Sequence, residues 1–397
     1  MTDLLKDTLT ERADAAVPAA LALDTIITTG NRRIRRRRVL AVAGTALVTL
    51  AVLATGLTLA RGVDREPAPA VASFAERRAT YATGSEIHYG ADVISAAPQK
   101  ISAFVQTDTG FVFIPTGAEG GLFLADGKQI HKLADYPGDL TDLTAARDGN
   151  LVGWIEPSEG RYDSVIYDVA ARREVVRTPL GNTPPPIASL VDGPRIVAID
   201  GGYAYLGTLD GVYRWDLRTG QYRLIVPSVR PSAIRTLAAD RYLFDTDPRL
   251  LRGPQPITLQ LRTLAGSNVL SSYSGKYGYL SPTGKHLLTA AADPQKITPP
   301  PADLKLFETT THQQLPFTHP DHPRLIFNQW LTDTTFTAAG LRTTTATSPV
   351  DLLTCSTTSL TCETTTTDIS AFNFTKSAPR VAPFVLPIGS PIRWLFG

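Results

Sequence analysis

Cysteine is almost missing from this 397-residue chain, which has only Cys355 and Cys362. Two thiols lack the further ligand pair that a structural zinc site needs, and neither stands near an apolar run where a lipid-bearing cysteine would be expected. An excess of either charge is also missing, with 39 basic and 37 acidic side chains and a formal net charge of +2. From residue 66 onward the balance is 29 basic to 31 acidic, so no field steers nucleic acid to this part of the chain. No Gly-x-Ser-x-Gly elbow, His-Glu-x-x-His helix, phosphate-binding loop, dinucleotide fingerprint or EF-hand loop occurs. The reading is therefore of no catalytic residue, no metal and no cofactor.

Long hydrophobic runs are missing too, with one exception. Val39 to Ala60 is 22 residues without a charge, flanked by Arg38 and Arg61. As a helix this run rises about 33 Å, enough to cross a hydrocarbon core of about 30 Å. Arg32, Arg33, Arg35, Arg36, Arg37 and Arg38 precede it, and cationic residues beside a span are held on the cytoplasmic side. These arginines are read as membrane-orienting. The expectation is an uncleaved signal-anchor in a cell membrane, N-terminus cytoplasmic, with residues 39–60 contacting lipid. Thr58-Leu59-Ala60 is a poor cleavage site, and a basic region of 38 residues is too long for a secretory signal. The tail, 1–38, carries two short stretches of helical apolar spacing and neither His nor Cys, so the zinc-binding version of an anti-sigma module is absent while zinc-free versions stay open. Residues 61–80, with Pro67 and Pro69, read as a linker, and 81–397 as the extracytoplasmic domain.

Thirty Gly and thirty Pro favour many short strands and turns there. Tyr213 to Ile225 reads as two alternating strands around a turn at Leu217 to Gly220, and the same grammar recurs from Leu122, Val165, Leu259, Leu304 and Leu352. The residues opening these turns are Asp126, Asp168, Asp216, Thr263, Glu308 and Ser356, at intervals of 42, 48, 47, 45 and 48. A near-constant period in the forties with an all-β unit is that of a four-stranded propeller blade. Ala146-Arg147-Asp148-Gly149-Asn150 and Ser281-Pro282-Thr283-Gly284-Lys285 are similar to the Ser-Pro-Asp-Gly-Lys/Arg turn of WD40-like and TolB-like bacterial propellers, and Trp215-Asp216 falls where a WD dipeptide would. The match is degenerate, with Ala146-Arg147 in place of Ser-Pro and Thr283 in place of Asp. The resemblance implies an all-β propeller over about 81–390, and an architecture rather than an activity. Seven blades are expected, or six. In the seven-blade reading, the hairpin Ser85 to Ser95 and two strands from Asp368 to Leu386 form a composite last blade.

Cys355 and Cys362 fall on opposed arms of one hairpin and are expected to form a disulfide on an oxidising side of the membrane. His319-Pro-Asp-His322 is the only close His pair and reads as a solvated turn. Asp126, Asp168, Asp216 and Glu308 are assigned to turn structure, and Trp154, Trp215, Trp330, Tyr203 and Tyr205 to packing. Trp394, Leu395 and Phe396 read as a plug across the ring or a docking patch. The leading expectation is a propeller that binds a protein, glycan or small ligand at one face. A propeller hydrolase or lactonase with a channel metal is the alternative from the enzyme class, and a sensor reporting through residues 1–38 is a third.

Overall fold

The computed structural model describes residues 74–117, 120–135, 143–158, 161–179, 194–227, 229–230, 233–246, 257–265, 268–275, 277–290, 304–343, 347–373 and 384–387. The membrane-orienting arginines Arg32, Arg33, Arg35, Arg36, Arg37 and Arg38 lie outside the described residues, as do the rest of the tail 1–38, the apolar run 39–60 and Trp394 to Phe396. Among the described residues no helix is long and apolar enough to cross a membrane.

The strands form seven sheets, six of four strands and one of three, with hydrogen-bonded neighbours antiparallel. Each four-stranded sheet is consecutive in sequence. Blade 2 spans residues 101–134, blade 3 144–179, blade 4 195–227, blade 5 234–275, blade 6 277–315 and blade 7 324–373. Blade 1 holds Thr80–Thr83, Glu86–Tyr89 and Asp92–Ser95. Its free inner edge is taken by the far end of the chain. Ala82 and Val385 exchange both backbone hydrogen bonds, each 2.8 Å, so the stretch 384–387 is the innermost element of blade 1.

Why the sheets gather into a ring follows from the period of two. Successive side chains of a strand point to opposite faces, and a blade has an apolar neighbour on each face. In blade 4, Ala204 and Leu206 pack towards blade 3, whereas Tyr205 between them packs towards blade 5. In blade 6, Leu287 joins the cluster shared with blade 5, and Leu288 the cluster shared with blade 7. Seven such clusters exist, one at every junction, and the last joins Ile326, Leu341 and Leu352 of blade 7 to Tyr81, Phe384 and Leu386 of blade 1. The ring is closed, and the count is seven.

Two expectations about the ends are revised. Asp368 to Asn373 is the end of the 13-residue outermost strand of blade 7, Thr361–Asn373, so among the described residues the tail gives blade 1 one inner segment, 384–387. Part of the stretch read as linker is packed: Phe74 is 2% exposed between blades 1 and 2, its ring 5.4 Å from Tyr89 and 5.2 Å from Phe111, and the first strand starts at Thr80.

Cys355 and Cys362 pair directly across the last hairpin and are joined by a disulfide. The Cys355 end is fully buried between blades 6 and 7. Cross-linking a loop this short is worth about 2–3 kcal/mol in the chain-entropy model. Cys362→Ser, or reductant on the wild type, is expected to lower the free energy of unfolding by that amount, shifting the denaturation midpoint down, and to raise amide exchange first within 355–362. An unmoved midpoint under reductant would count against it.

Candidate functional site

Hydrogen bonds between blades orient the innermost strands. The turns that leave these strands are tied to their neighbours. Gly149 N–H donates to Asp108 Oδ2 (3.0 Å) between blades 2 and 3, and Arg241 Nη1 donates to Gly284 O (3.3 Å) between blades 5 and 6. Between blades 6 and 7, Thr283 N–H donates to Asp333 Oδ1 at 2.7 Å. The residues that open the innermost strands meet in a different set of bonds. Thr144 Oγ1 donates to Ile196 O (2.8 Å) between blades 3 and 4, and the Arg195 guanidinium donates to the Ile234 carbonyl between blades 4 and 5. The innermost strands therefore run the same way round the ring, with their starts at one mouth and their first turns at the other.

At the first-turn mouth, polar groups tie neighbouring segments together. Arg77 Nε and Nη2 reach the Arg147 carbonyl at 3.0 and 2.6 Å, and Nη2 also pairs with Asp108 Oδ1 at 3.2 Å. His286 Nδ1 donates to the Asp333 carbonyl at 2.9 Å. Burial pushes the Asp333 carboxyl up, but the Thr283 N–H and other donors, with the charge of Arg147 across the ring, leave it below the usual carboxylate range. These side chains are occupied in holding blade to blade.

The strand-start mouth is also tied by inter-blade bonds, but it carries arginines. Arg195 opens the innermost strand of blade 4, Arg235 is second in that of blade 5, and Arg324 opens that of blade 7. All three are half-buried. Arg235 Nη2 pairs with the fully buried Asp245 at 2.5 Å. No hydrogen-bond or ion-pair partner of Arg324 exists among the described residues, and burial alone draws its guanidinium below its ordinary pKa. Tyr277 and Tyr279 occupy the innermost strand of blade 6, and Tyr279 stacks on Phe327 with centroids 4.2 Å apart. Burial pushes the Tyr279 hydroxyl up, so it stays protonated.

The carboxylates that open the outer turns are structural. Asp126 Oδ1 accepts from the N–H groups of Lys128 and Gln129, Asp168 Oδ1 from Ala170 and Ala171, and Asp216 Oδ1 from Arg218 and Thr219. The Thr219 N–H is the main reason that the Asp216 carboxyl lies below the ordinary range. At Glu308 the side chain instead accepts from Thr311 Oγ1 (2.7 Å). Trp154, Trp215 and Tyr205 lie in the inter-blade clusters, Trp330 packs at the edge of one, and Arg214 covers the Tyr203 ring at 4.7 Å. Among the described residues no three His, Cys, Asp or Glu side chains are placed to hold a metal ion.

The histidine pair is the clearest departure from the sequence reading. His322 is 7% exposed, and its Nε2 meets Asp351 Oδ2 at 2.9 Å, while His319 Nδ1 donates to the His322 carbonyl at 2.7 Å. Pro320 does bend the chain, as expected, but the bend turns His322 inward. The partner Asp351 lies 29 residues downstream on the next hairpin, too far for spacing to reveal. Arg195, Arg235 and Arg324 were also missed. The available signal was an Arg at the first or second place of the inner strand in three of the repeats.

No family model matches the chain, and no curated protein matches it. Solved structures that match include TolB from Acinetobacter baumannii, at 14% identity over 61% of this chain and 63% of that one, with a TM-score of 0.40. An uncharacterized protein from Listeria monocytogenes EGD-e matches at 12% identity over 67% of this chain and 82% of that one, TM-score 0.44. Pyrococcus horikoshii acylaminoacyl peptidase matches at 10% identity over 70% of this chain and 47% of that one, TM-score 0.47. The chain thus spans less than two thirds of the TolB chain and about half of the peptidase chain. The propeller assignment rests on the seven sheets and their seven shared cores.

Proposed function

We propose that this chain is a membrane-anchored binding or scaffolding module: a seven-bladed propeller held outside the cytoplasm by a helix over residues 39–60, which recognises its ligand at one mouth of the ring. The observation that carries the reading is the different residue make-up of the two mouths, both of which are tied by bonds between blades. At one, Asp108, Asp333, Arg77 and His286 are engaged in joining blades. At the other, guanidinium groups stand at the starts of inner strands, where a rigid ring holds them in fixed relation. Recognition by a preorganised rim needs no reacting group. The placement outside the cytoplasm is supported by the cluster Arg32, Arg33 and Arg35 to Arg38 before the apolar run and by a disulfide in the last blade.

Topology is tested by fusing epitope tags to the two ends of the full chain in intact bacterial cells. A membrane-impermeant label should reach the C-terminal tag and not the N-terminal one, and both should fractionate with membranes. Labelling in the reverse sense, or recovery in the soluble fraction, would overturn the anchor. Binding is tested by crosslinking on the same cells: a discrete partner captured by the full chain is expected, and capture that persists in a chain ending at residue 73 would exclude the propeller as the binding part.

A further inference from the structure

We infer that the strand-start mouth is an oxyanion site centred on Arg324, which takes a carboxylate or phosphate group of the ligand. The inference rests on the binding-module reading and names the chemistry of its ligand. A guanidinium withdrawn from water costs free energy unless a counter-ion or acceptors replace the solvent, so arginines inside proteins are paired. Other arginines of the inner and outer strands follow the rule. Arg235 has Asp245, Arg177 has Glu156, Asp163 and Glu174, and Arg342 has Asp351 and Asp368. Arg324 departs from it among the described residues, although it is half-buried.

Its place in the fold explains what could complete it. Ile326, two residues on and therefore on the same face of the strand, packs in the cluster between blades 7 and 1, whereas Leu325 packs towards blade 6. Arg324 thus stands at the strand-start end of the seam that Phe384 to Leu386 closes. Round the same mouth stand Arg195, whose guanidinium donates to the Ile234 carbonyl, and Arg235, which is paired with Asp245. A planar guanidinium with free donors matches the two oxygens of a carboxylate or phosphate in a bidentate pair, and a lysine in its place would not. Glu156, Asp163, Asp245 and Asp351 each already face an arginine. Among the described residues, no carboxylate is in an ion pair with Arg324 and so none competes there with an incoming anion.

The test uses the full chain in detergent and two probes, pyrophosphate and citrate, titrated by calorimetry at low salt. Saturable binding of at least one is expected, and which one distinguishes a phosphate from a carboxylate ligand. Arg324→Gln should weaken that binding about tenfold or more, as loss of a charge-assisted pair does, whereas Arg218→Gln, on an exposed outer turn, should leave it unchanged. The probe should raise the melting temperature of the wild type and not of Arg324→Gln, and Arg324→Gln without probe should melt no lower than wild type. Failure of both probes to bind, equal loss in the two variants, or a lower melting temperature for Arg324→Gln alone would each overturn the inference. None of these outcomes bears on membrane topology or on partner capture, so the binding-module reading stands or falls separately.

Discussion

Phe384→Ala is expected to destabilise the propeller by about 3–5 kcal/mol, the range for removing a fully buried phenylalanine. Phe384 is 1% exposed, Leu386 is fully buried, and both belong to the cluster that joins the last blade to the first. A ring differs from an open stack in having no end blade, so a defect here does more than leave a cavity. It frees the inner edge of Thr80–Thr83, and an unpaired strand edge is a template for association with another chain. Val385→Pro acts chiefly on that second effect. It deletes the N–H that donates to Ala82 and changes the buried Val385 side chain between blades 1 and 2, while leaving the apolar contacts of Phe384 and Leu386 in place. Denaturant unfolding followed by tryptophan fluorescence should show both variants shifted to lower midpoints, with aggregation at micromolar protein in the Phe384→Ala and Val385→Pro double variant. A loss under about 1 kcal/mol for Phe384→Ala, against the range for a buried aromatic, would mean that this segment does not close the ring.

The same junction shows how far the fold could be read from the chain. Blades 2 to 7 announce themselves because each is contiguous, so the turn between its outer strands recurs at the spacing marked by Asp126, Asp168, Asp216, Thr263, Glu308 and Ser356. Those turns are chemically explicit, since an Asp or Ser side chain that caps its own turn is a local event. Blade 1 joins Ala82 to Val385 across about 300 residues of chain, and nothing local in Phe384-Val385-Leu386 distinguishes an innermost strand from the end of an outer one. Spacing alone therefore gave two strands to the tail where the described residues form one inner segment. The strand-start mouth was illegible for a related reason. Arg195, Arg235 and Arg324 lie on three different blades, and their common place at one mouth is a property of the closed ring. Cys355 and Cys362 were legible because one hairpin contains both, and a four-residue turn puts them opposite each other.

Asp351→Ala should be the most damaging single change to a polar side chain, at about 2–4 kcal/mol. The carboxylate is 2% exposed and holds four donors: Arg342 Nε and Nη2, both at 2.6 Å, His322 Nε2 at 2.9 Å and the Asp368 N–H at 2.9 Å. Removing it strands the buried imidazole and a backbone N–H, whereas Arg342, more exposed, can turn to water. Burial by itself pushes the Asp351 carboxyl up, but the Arg342 hydrogen bonds and then the His322 one outweigh it, and the group lies below the usual carboxylate range. A carboxyl whose folded pKa is depressed binds its proton more weakly in the folded state than in the unfolded one. Its stabilisation is therefore complete above the unfolded value, near about 4, and is lost as pH falls through the folded value. Wild type and Asp351→Ala should thus differ most at neutral pH and converge on acidification below about pH 4. Urea unfolding at neutral, mildly acidic and strongly acidic pH, about 7, 5 and 3, measures this directly. A gap that stayed constant to the lowest pH would show that Asp351 acts through packing rather than charge.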